Sequence, residues 1–374
     1  MLTVNMQGLD ESIQTNYKAK EPLFIQGGVG IGKSERIRFW AEAFAKGENK
    51  KFIDWSKTTE LERQECIKNA KDYFVFTDQR ISNKDPSDLQ GIFNLSDTKM
   101  LQYVPWGWCL YYTQPEANGV IFFDEINLAM PIVSNAAYQI IHDRIISDRK
   151  LSKNVWICSA GNRACDKANV FDMPVPLEDR FMGIELTMDA DAWCDWAIDK
   201  GISPHLISYI KWKPTALYKM NDKRTDKPTT PRGVARADRV IKASGKPITD
   251  IHVYHLVAQS CGVAFATEFQ AYIKLFQKLD WKVIFDNPKS VKEFAIDKKY
   301  ALMGGMVELF NKTSDQPMFD NIMGVLMVID EDYAIITLRQ IIASQKTAFR
   351  RCIKKRPKSA DSFIQKYAKY IVEV

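Results

Sequence analysis

A glycine-rich segment followed by a lysine and a serine is the clearest chemical feature of this 374-residue sequence. Residues 27–34 read Gly-Gly-Val-Gly-Ile-Gly-Lys-Ser and fit the pattern G-x-x-x-x-G-K-[ST] in full. Glycines at this spacing let backbone N–H groups surround phosphate oxygens, and a following helix adds its positive N-terminal end. The lysine then reaches the β- and γ-phosphates, and the serine hydroxyl binds Mg²⁺. The predicted nucleotide-binding residues are Gly27, Gly28, Val29, Gly30, Ile31, Gly32, Lys33 and Ser34.

Two carboxylates follow a second apolar run. Gly119-Val-Ile-Phe-Phe123 has the length of a buried strand, and Asp124 and Glu125 come directly after it. In a parallel sheet, the end of such a strand lies next to the phosphate loop. We expect Asp124 to belong to the Mg²⁺ shell and Glu125 to orient and deprotonate an attacking water. An Asp-Glu pair alone could be a helix cap, but together with the glycine loop it favours catalysis.

Three further polar residues follow in order along the chain. Asn162 comes shortly after an apolar run that ends at Ser159, and it could position a water molecule beside Glu125. Arg180 precedes a short apolar stretch, and Arg232 lies in a Thr-Pro-Arg-Gly sequence that opens a predicted helix. Each of them alone would be read as a surface residue, so their assignment depends on the order of all the motifs.

The elements that must position these residues alternate between strand and helix in the first 187 residues. Short apolar runs predict strands, and apolar residues at helical spacing predict helices. The predicted strands are 22–26, 73–77, 119–124 and 154–159, and the predicted helices are 34–46 and 130–145; residues 51–54 are ambiguous. Strands separated by helices imply a parallel sheet covered on both faces. From about residue 188 the sequence is mainly helical.

In this order, the motifs resemble those of an AAA+ ATPase over roughly residues 9–260. More narrowly, Asp124-Glu-Ile-Asn127, the context of Asp179-Arg-Phe181 and Thr230-Pro-Arg232 are similar to the MoxR branch. The resemblance implies that Asn162 is sensor 1, that Arg180 is an arginine finger offered to a neighbouring subunit, and that Arg232 is sensor 2.

The resemblance also implies a fold and an assembly. The expected fold class is α/β: a P-loop NTPase AAA+ module, a parallel sheet between helices, over residues 1–187 with an insertion near 79–112. A helical lid over 188–262 and a further helical C-terminal domain over 263–374 would follow. ATP and Mg²⁺ are the implied cofactors, and the implied assembly is a homo-oligomeric ring, expected to be a hexamer, that remodels or activates a partner protein.

Two segments bear on partners. Residues 80–92 are similar to a loop of MoxR-type proteins that often work with a von Willebrand factor A protein. In the insertion, Tyr103, Trp106 and Trp108 either pack beneath a loop or line the central channel of a ring. The amphipathic stretch 264–279, with Phe265 among its aromatic residues, either packs a third domain or belongs to a surface that docks the partner.

Charge keeps a second class of function open. The net charge is +6, but residues 201–374 carry 29 Lys/Arg against 17 Asp/Glu, which gives +12 there and −6 in residues 1–200. A basic half can bind nucleic acid, so the alternative is a nucleic-acid-associated AAA+ motor or loader. Its weakness is that no nucleic-acid motif occurs. A GTPase is disfavoured because no Asn-Lys-x-Asp sequence is present.

Composition excludes several other classes. With 46% apolar and 26% charged residues, the chain suits a globular protein. No apolar run approaches the roughly 20 residues of a spanning helix, and no secretory signal is visible, so we expect a cytoplasmic protein without membrane contact. Seven cysteines without a CxxC pair predict reduced, buried thiols. His252 and His255 share a helix face but lack a third metal ligand nearby.

Overall fold

The computed structural model of the protein describes residues 1–94, 102–163, 171, 173, 175–220, 226–355 and 365–367. These residues form two compact units, Met1–Met188 and Asp189–Val374. The predicted division of the second unit at residue 262 stays a prediction. Parts of the predicted insertion (95–101) and of the predicted lid (221–225), together with Cys165, lie outside the described residues.

The first unit combines a large sheet, two short antiparallel strand pairs and seven α-helices among its described residues. In chain order the strands are β1 Leu2–Val4, β2 Leu23–Gly27, β3 Lys51–Asp54, β4 Tyr73–Arg80, β5 Ile92–Asn94, β6 Gln102–Val104, β7 Asn118–Asp124, β8 Ile145–Ile146, β9 Arg149–Lys150, β10 Val155–Gly161 and β11 Met182–Leu186. The helices are α1 Met6–Ala19, α2 Lys33–Gly47, α3 Glu60–Lys68, α4 Pro86–Gln90, α5 Gly107–Tyr112, α6 Pro131–His142 and α7 Val175–Glu178.

The large sheet has seven strands in the order β1-β11-β2-β10-β7-β4-β3, and all neighbouring pairs are parallel. Every residue of β7 and of β10 is buried, as expected for central strands covered on both faces. Because the strands are parallel, their carboxyl ends meet at one edge. The register there pairs Gly161 with Gln26 and Arg80 with Asp124, so the glycine loop and the carboxylates lie at the same edge.

Local sequence accounts for most of these elements. The predicted helix 34–46 is confirmed as α2, and the ambiguous residues 51–54 form strand β3. The helix predicted to reach residue 145 ends at His142, because the chain turns into the β8–β9 hairpin. Thr59 caps α3 by accepting a hydrogen bond from the backbone N–H of Glu62, while the Glu62 carboxylate accepts one from the backbone N–H of Thr59.

The region of the predicted insertion is more regular than its sequence suggests. Strand β4 continues to Arg80, and the described residues beyond it form α4, the antiparallel β5–β6 pair and α5. Trp108 is buried in the core of the first unit, whereas Trp106 is exposed. The two tryptophans of the predicted aromatic cluster therefore have different surroundings.

The second unit is helical in its described residues. Its helices are α8 Ala190–Asp199, α9 Pro204–Trp212, α10 Pro231–Ser244, α11 Ile251–Cys261, α12 Val263–Gln277, α13 Trp281–Asp286, α14 Ile296–Thr313, α15 Gln316–Leu326 and α16 Glu331–Lys354. Phe265, Phe269 and Tyr272 of α12 are buried, so this apolar stripe packs inside the unit. Over the described residues, none of the helices combines the length and the apolar character needed to cross a membrane.

The predicted fold class is confirmed. Strand β2, which carries the glycine loop, lies between β10 and β11, and β7, which carries Asp124, follows on the far side of β10. This is an α/β module with a parallel sheet between helices and a glycine-rich loop between β2 and α2, and a helical unit follows it in the chain.

Candidate nucleotide site

The glycine loop connects the end of β2 to the start of α2. Gly30 and Gly32 have φ values of 74° and 97°, which are favourable for glycine and costly for most other residues. At Gly27, an added Cβ would lie 2.9 Å from the Ile31 side chain and 3.0 Å from the Leu186 carbonyl oxygen. The loop therefore needs glycine both for its backbone angles and for close packing at its base.

Lys33 is the first residue of α2, and only 7% of its surface is exposed. Its ammonium donates to the carbonyl oxygens of Gly27 at 2.7 Å and Gly28 at 2.9 Å, and to Asn162 Oδ1 at 3.2 Å. These hydrogen bonds hold the buried ammonium in place at the start of α2. Phosphate oxygens at the N-terminal end of α2 would complement this charge.

Ser34 and Asp124 come together although 90 residues separate them in the chain. The Ser34 hydroxyl donates to Asp124 Oδ2 at 2.8 Å, and the backbone N–H of Glu125 donates to Asp124 Oδ1 at 2.9 Å. Hydroxyl and carboxylate oxygens are the donors that Mg²⁺ prefers. The pair fits a Mg²⁺ ion that keeps several water ligands, and the metal-binding roles of these two residues stay predictions.

Glu125 has a constrained backbone and a held side chain. Its φ of 57° and ψ of 36° lie in the left-handed region, which is uncommon for residues other than glycine and clusters at functional sites. Ser82 Oγ donates to Glu125 Oε2 at 2.6 Å. Arg80 lies 3.9 Å from a carboxylate oxygen of Asp124 and 3.9 Å from one of Glu125. The two carboxylates thus share one cation, and each also accepts a hydrogen bond from a serine hydroxyl.

Asn162 is fixed by a second asparagine. Asn127 Nδ2 donates to the Asn162 carbonyl oxygen at 2.7 Å, and the Asn162 backbone N–H donates to Asn127 Oδ1 at 3.1 Å. Gly161 makes room for this pair, since a Cβ there would lie 2.7 Å from Asn127 Oδ1. The Asn162 side chain is left to accept the bond from Lys33.

Asp78 adds a third carboxylate near the site. It lies on β4, two residues before Arg80, and keeps an exposed side chain. Partial desolvation, followed in importance by the negative charge of Asp124, raises the pKa of the Asp78 carboxyl to about 6. The charged form of the Asp78 carboxyl is therefore disfavoured in this environment.

The two predicted arginines are placed differently from the other residues. Arg180 lies in the turn after α7 and is exposed, while the adjacent Phe181 is buried with its ring 5.8 Å from that of Phe24. Arg232 is exposed in the first turn of α10, which Thr230 caps. Neither guanidinium forms an ion pair with any residue in the described part of the chain. Their predicted roles stay predictions.

Sequence reasoning missed the contributions of Asp78, Arg80 and Ser82 to this site. The predicted strand ended at residue 77, so the end of β4 was not placed beside Asp124. The signal was available in principle, because polar residues at the end of a strand next to the carboxylate strand face the same edge. The hydrogen bonds of Asn127 also went unpredicted, although its motif was noted.

No separate metal-binding cluster is found in the described residues. The six described cysteines are all free and buried, and no group of three or more His, Cys, Asp or Glu side chains is arranged to hold a metal there. His252 and His255 therefore lack further ligands within the described residues.

The chain has only weak similarity to known proteins. No family model matches the sequence, and no curated protein sequence matches it. Among solved structures, a Cytophaga hutchinsonii protein provisionally assigned as an ATPase is 11% identical over 95% of this chain and 91% of that chain, with a TM-score of 0.32. NtrX from Brucella abortus in complex with ADP is 13% identical over 98% of this chain and 68% of that chain, with a TM-score of 0.30. A RuvB mutant from Thermotoga maritima is 13% identical over 76% of this chain and 74% of that chain, with a TM-score of 0.28. Similarities this weak carry no argument about function.

Proposed function

We propose that this protein is an AAA+ ATPase of MoxR type that hydrolyses ATP in the presence of Mg²⁺ and uses the energy to remodel or activate a partner protein. The observation that carries the proposal is the hydrogen-bonded group at the carboxyl edge of the sheet. There, Lys33 contacts Asn162 and Ser34 contacts Asp124 at the start of α2. A phosphate clamp, two metal-binding oxygens and a neighbouring carboxylate are the parts that phosphoryl transfer to water requires.

Each residue has a separate task in this reaction. The Lys33 ammonium exchanges its carbonyl partners for phosphate oxygens and neutralises their charge. Glu125 accepts a proton from the attacking water, and for this its carboxylate must leave the Ser82 hydroxyl. Asn162, held by Asn127, offers its side-chain amide to the water or to the γ-phosphate. A Mg²⁺ ion held by Ser34 and Asp124 would supply positive charge to the transferred phosphoryl group.

Charge developing on the γ-phosphate needs a further cation. In the proposed ring, expected to be a hexamer, Arg180 of one subunit supplies it to the nucleotide of the next. The support is that Arg180 is exposed and has no ion-pair partner in the described part of its own chain. Arg232 is proposed to contact the phosphates as sensor 2, with the helical lid moving about a hinge near Met188.

Two variants test the catalytic proposal. Lys33→Ala is expected to weaken ATP binding, whereas Glu125→Gln should keep binding intact and reduce turnover by about 10²–10⁴-fold, the usual contribution of a general base. Nucleotide titration and phosphate release measure the two effects separately. Wild-type turnover by Glu125→Gln would exclude Glu125 as the base.

The partner is proposed to be a protein, and a von Willebrand factor A protein is the leading candidate through the resemblance of residues 80–92. A Glu125→Gln ring, blocked in hydrolysis, should retain its partner when purified from the native cytoplasm. Recovery of the ring without any protein in stoichiometric amount would argue against this class of function.

The alternative function is a nucleic-acid-associated motor or loader. It is favoured by the charge of +12 in residues 201–374. DNA binding that falls steeply with salt, together with DNA-stimulated turnover, would support it over protein remodelling.

A further inference from the structure

A cavity in the first unit lies apart from the residues assigned to the nucleotide. Its volume is about 430 Å³, within the range of small-ligand and peptide side-chain sites. Trp55 and Trp108, both buried, form apolar parts of its wall, and Trp106, 45% exposed, forms another. Exposed Ile92 and Val104 are paired between strands β5 and β6, and Val104 lies two residues before Trp106 in the chain.

Gln79 provides a polar group that the fold leaves without a partner. Only 7% of its surface is exposed, and its side chain lines the cavity. Its amide forms no hydrogen bond with any residue in the described part of the chain. The amide atoms are not fully enclosed, so they are accessible to a ligand in the cavity. A ligand that offers both a donor and an acceptor would pair with this amide, as the peptide group of a bound segment does.

The charged side chains that line the cavity differ in their hydrogen-bond and ion-pair partners. The Arg63 guanidinium donates to the Trp55 carbonyl oxygen at 3.2 Å and to Thr58 Oγ1 at 3.3 Å, and lies 5.3 Å from the Trp55 ring centre. Glu60 is 3.9 Å from Arg63, and Asp88 accepts a bond from the Asp85 backbone N–H at 2.9 Å.

Lys84 differs from these groups. Its ammonium has no ion pair within the described residues, although its side chain lines the cavity and is partly buried. Among the charged groups of the wall, Lys84 is therefore the one ready to bind a carboxylate of a ligand.

We propose that this cavity binds a peptide segment of another protein in which an aromatic side chain neighbours a carboxylate. The aromatic ring packs against the tryptophans, since offset and edge-on contacts between rings are favourable. The Gln79 amide pairs with the peptide backbone, and the Lys84 ammonium binds the carboxylate. The exposed Trp106, Ile92 and Val104 contact the residues of the segment that extend beyond the cavity.

A single-stranded nucleic acid would also stack on tryptophan, but the charges disfavour it. Glu60 and Asp88 lie in the same wall and would repel a phosphate backbone, which carries a charge on every nucleotide. One carboxylate placed at Lys84 avoids this repulsion. The peptide is therefore the ligand class that the wall fits.

The cavity shares a chain segment with the carboxylates. Gln79 and Lys84 line it, while Arg80 and Ser82 between them contact Asp124 and Glu125. The proposal nevertheless goes beyond ATP hydrolysis and does not depend on it, because peptide binding can be measured without turnover.

Pools of acetylated and amidated tetrapeptides test the proposal. The central pair is Phe-Asp or Asp-Phe, the flanking positions are random, and matched pools carry Asn in place of Asp. Binding to the full chain is measured by saturation-transfer NMR. We expect the Asp pools to bind about tenfold more tightly than the Asn pools, as one hydrogen bond between charged groups implies. Lys84→Met should remove this preference, while Lys71→Met, an exposed lysine before the other end of β4, should keep it.

Two more variants separate binding from folding. Trp106→Ala, at an exposed position, should weaken binding of both Asp pools by about tenfold or more. It also removes the hydrogen bond from the Trp106 indole N–H to the Ser87 carbonyl oxygen, so the melting temperature should fall only slightly. Gln79→Met should weaken binding without lowering the melting temperature, because the Gln79 amide forms no hydrogen bond with the described part of the chain. The proposal is overturned if no pool binds, if Asp and Asn pools bind equally, if Lys84→Met keeps the preference, or if an eight-nucleotide oligothymidine displaces the peptide.

Discussion

The buried and half-buried residues of the nucleotide site and the two exposed arginines differ in how they are held. Lys33, Ser34 and Asp124 are each bonded to another member of the site within the first unit. Arg180 and Arg232 are exposed and have no ion-pair partner in the described part of the chain. The first group is positioned by the folding of a single chain. We propose that the binding partners of Arg180 and Arg232 lie outside the protein chain: bound nucleotide for both and, for Arg180, the nucleotide of a neighbouring subunit.

This difference has a physical basis. Burying a charged group is costly unless it is paired. The residues of the nucleotide site must therefore form hydrogen bonds with one another in the absence of a ligand. An exposed guanidinium is hydrated and carries no such requirement. Substitutions in the buried group should therefore change both folding and catalysis, whereas substitutions of the arginines should change catalysis alone.

Arg180→Ala tests the exposed group most strongly. Loss of a finger that stabilises the γ-phosphate should reduce turnover by about 10³-fold or more, while ATP binding and the melting temperature remain unchanged. Phosphate release, nucleotide titration and calorimetry measure the three quantities. Arg149→Ala, at an exposed arginine on the β9 strand, is the control and should be fully active.

Mixing variants then decides whether the finger acts between subunits. An equimolar mixture of Arg180→Ala and Glu125→Gln should regain part of the wild-type activity, because some interfaces then combine an intact finger with an intact base. Full activity of wild-type protein diluted to a monomer would contradict action between subunits.

Arg232→Ala should have a smaller effect. One charge-assisted hydrogen bond to a phosphate is worth about 1.5–3 kcal/mol, so turnover or ATP affinity should fall about 10–100-fold without loss of stability. Arg239→Ala, an exposed arginine two turns further along α10, is the matched control. If both variants lose the same activity, the effect belongs to the helix surface and not to Arg232.

Asn127→Ala tests the buried group. It removes both hydrogen bonds to the Asn162 backbone and leaves partly buried polar groups unpaired, which should lower the free energy of unfolding by about 1–3 kcal/mol. Turnover should fall as well, because Asn162 loses its support. Urea denaturation gives the first effect, with the exposed Asn69→Ala as control. A variant as inactive as Arg180→Ala but of wild-type stability would remove the distinction between the two groups.

Asp78→Asn should give the smallest effect. Its folded-state pKa, about 6, is raised above the ordinary aspartate value, so the folded state binds the proton more tightly than the unfolded chain. The stability linked to Asp78 is therefore present below about pH 4 and is lost as the pH rises to about 6. In Asp78→Asn, the free energy of unfolding should no longer fall between pH 4 and pH 6, so the variant should be more stable than wild type at pH 7. Thermal unfolding at pH 4 and pH 7 measures it, and Asp72→Asn, before the other end of β4, should follow the wild-type profile.

Much of the fold and of the site could be predicted because the signals are local. The glycine loop, the apolar strand before Asp124 and the helix after Lys33 are contiguous patterns whose geometry depends on neighbouring residues. Strand β4 shows the limit of such patterns. Its last residues are polar, so the apolar run ended the predicted strand at residue 77, whereas hydrogen bonds to β7 extend it to Arg80. The polar end of β4 is where the missed residues of the site lie.

What the sequence by itself determined is the identity of the phosphate loop, the carboxylates that follow β7 and the alternation that builds a parallel sheet. Only the tertiary structure decided which side chains hold them. Ser82 reaches Glu125 across 43 residues, and Asn127 reaches Asn162 across 35, because parallel strands bring their carboxyl ends to one edge. The same register leaves Gln79 buried without a partner in the described part of the chain. Such pairings depend on distances between strands, and no spacing along the sequence encodes them.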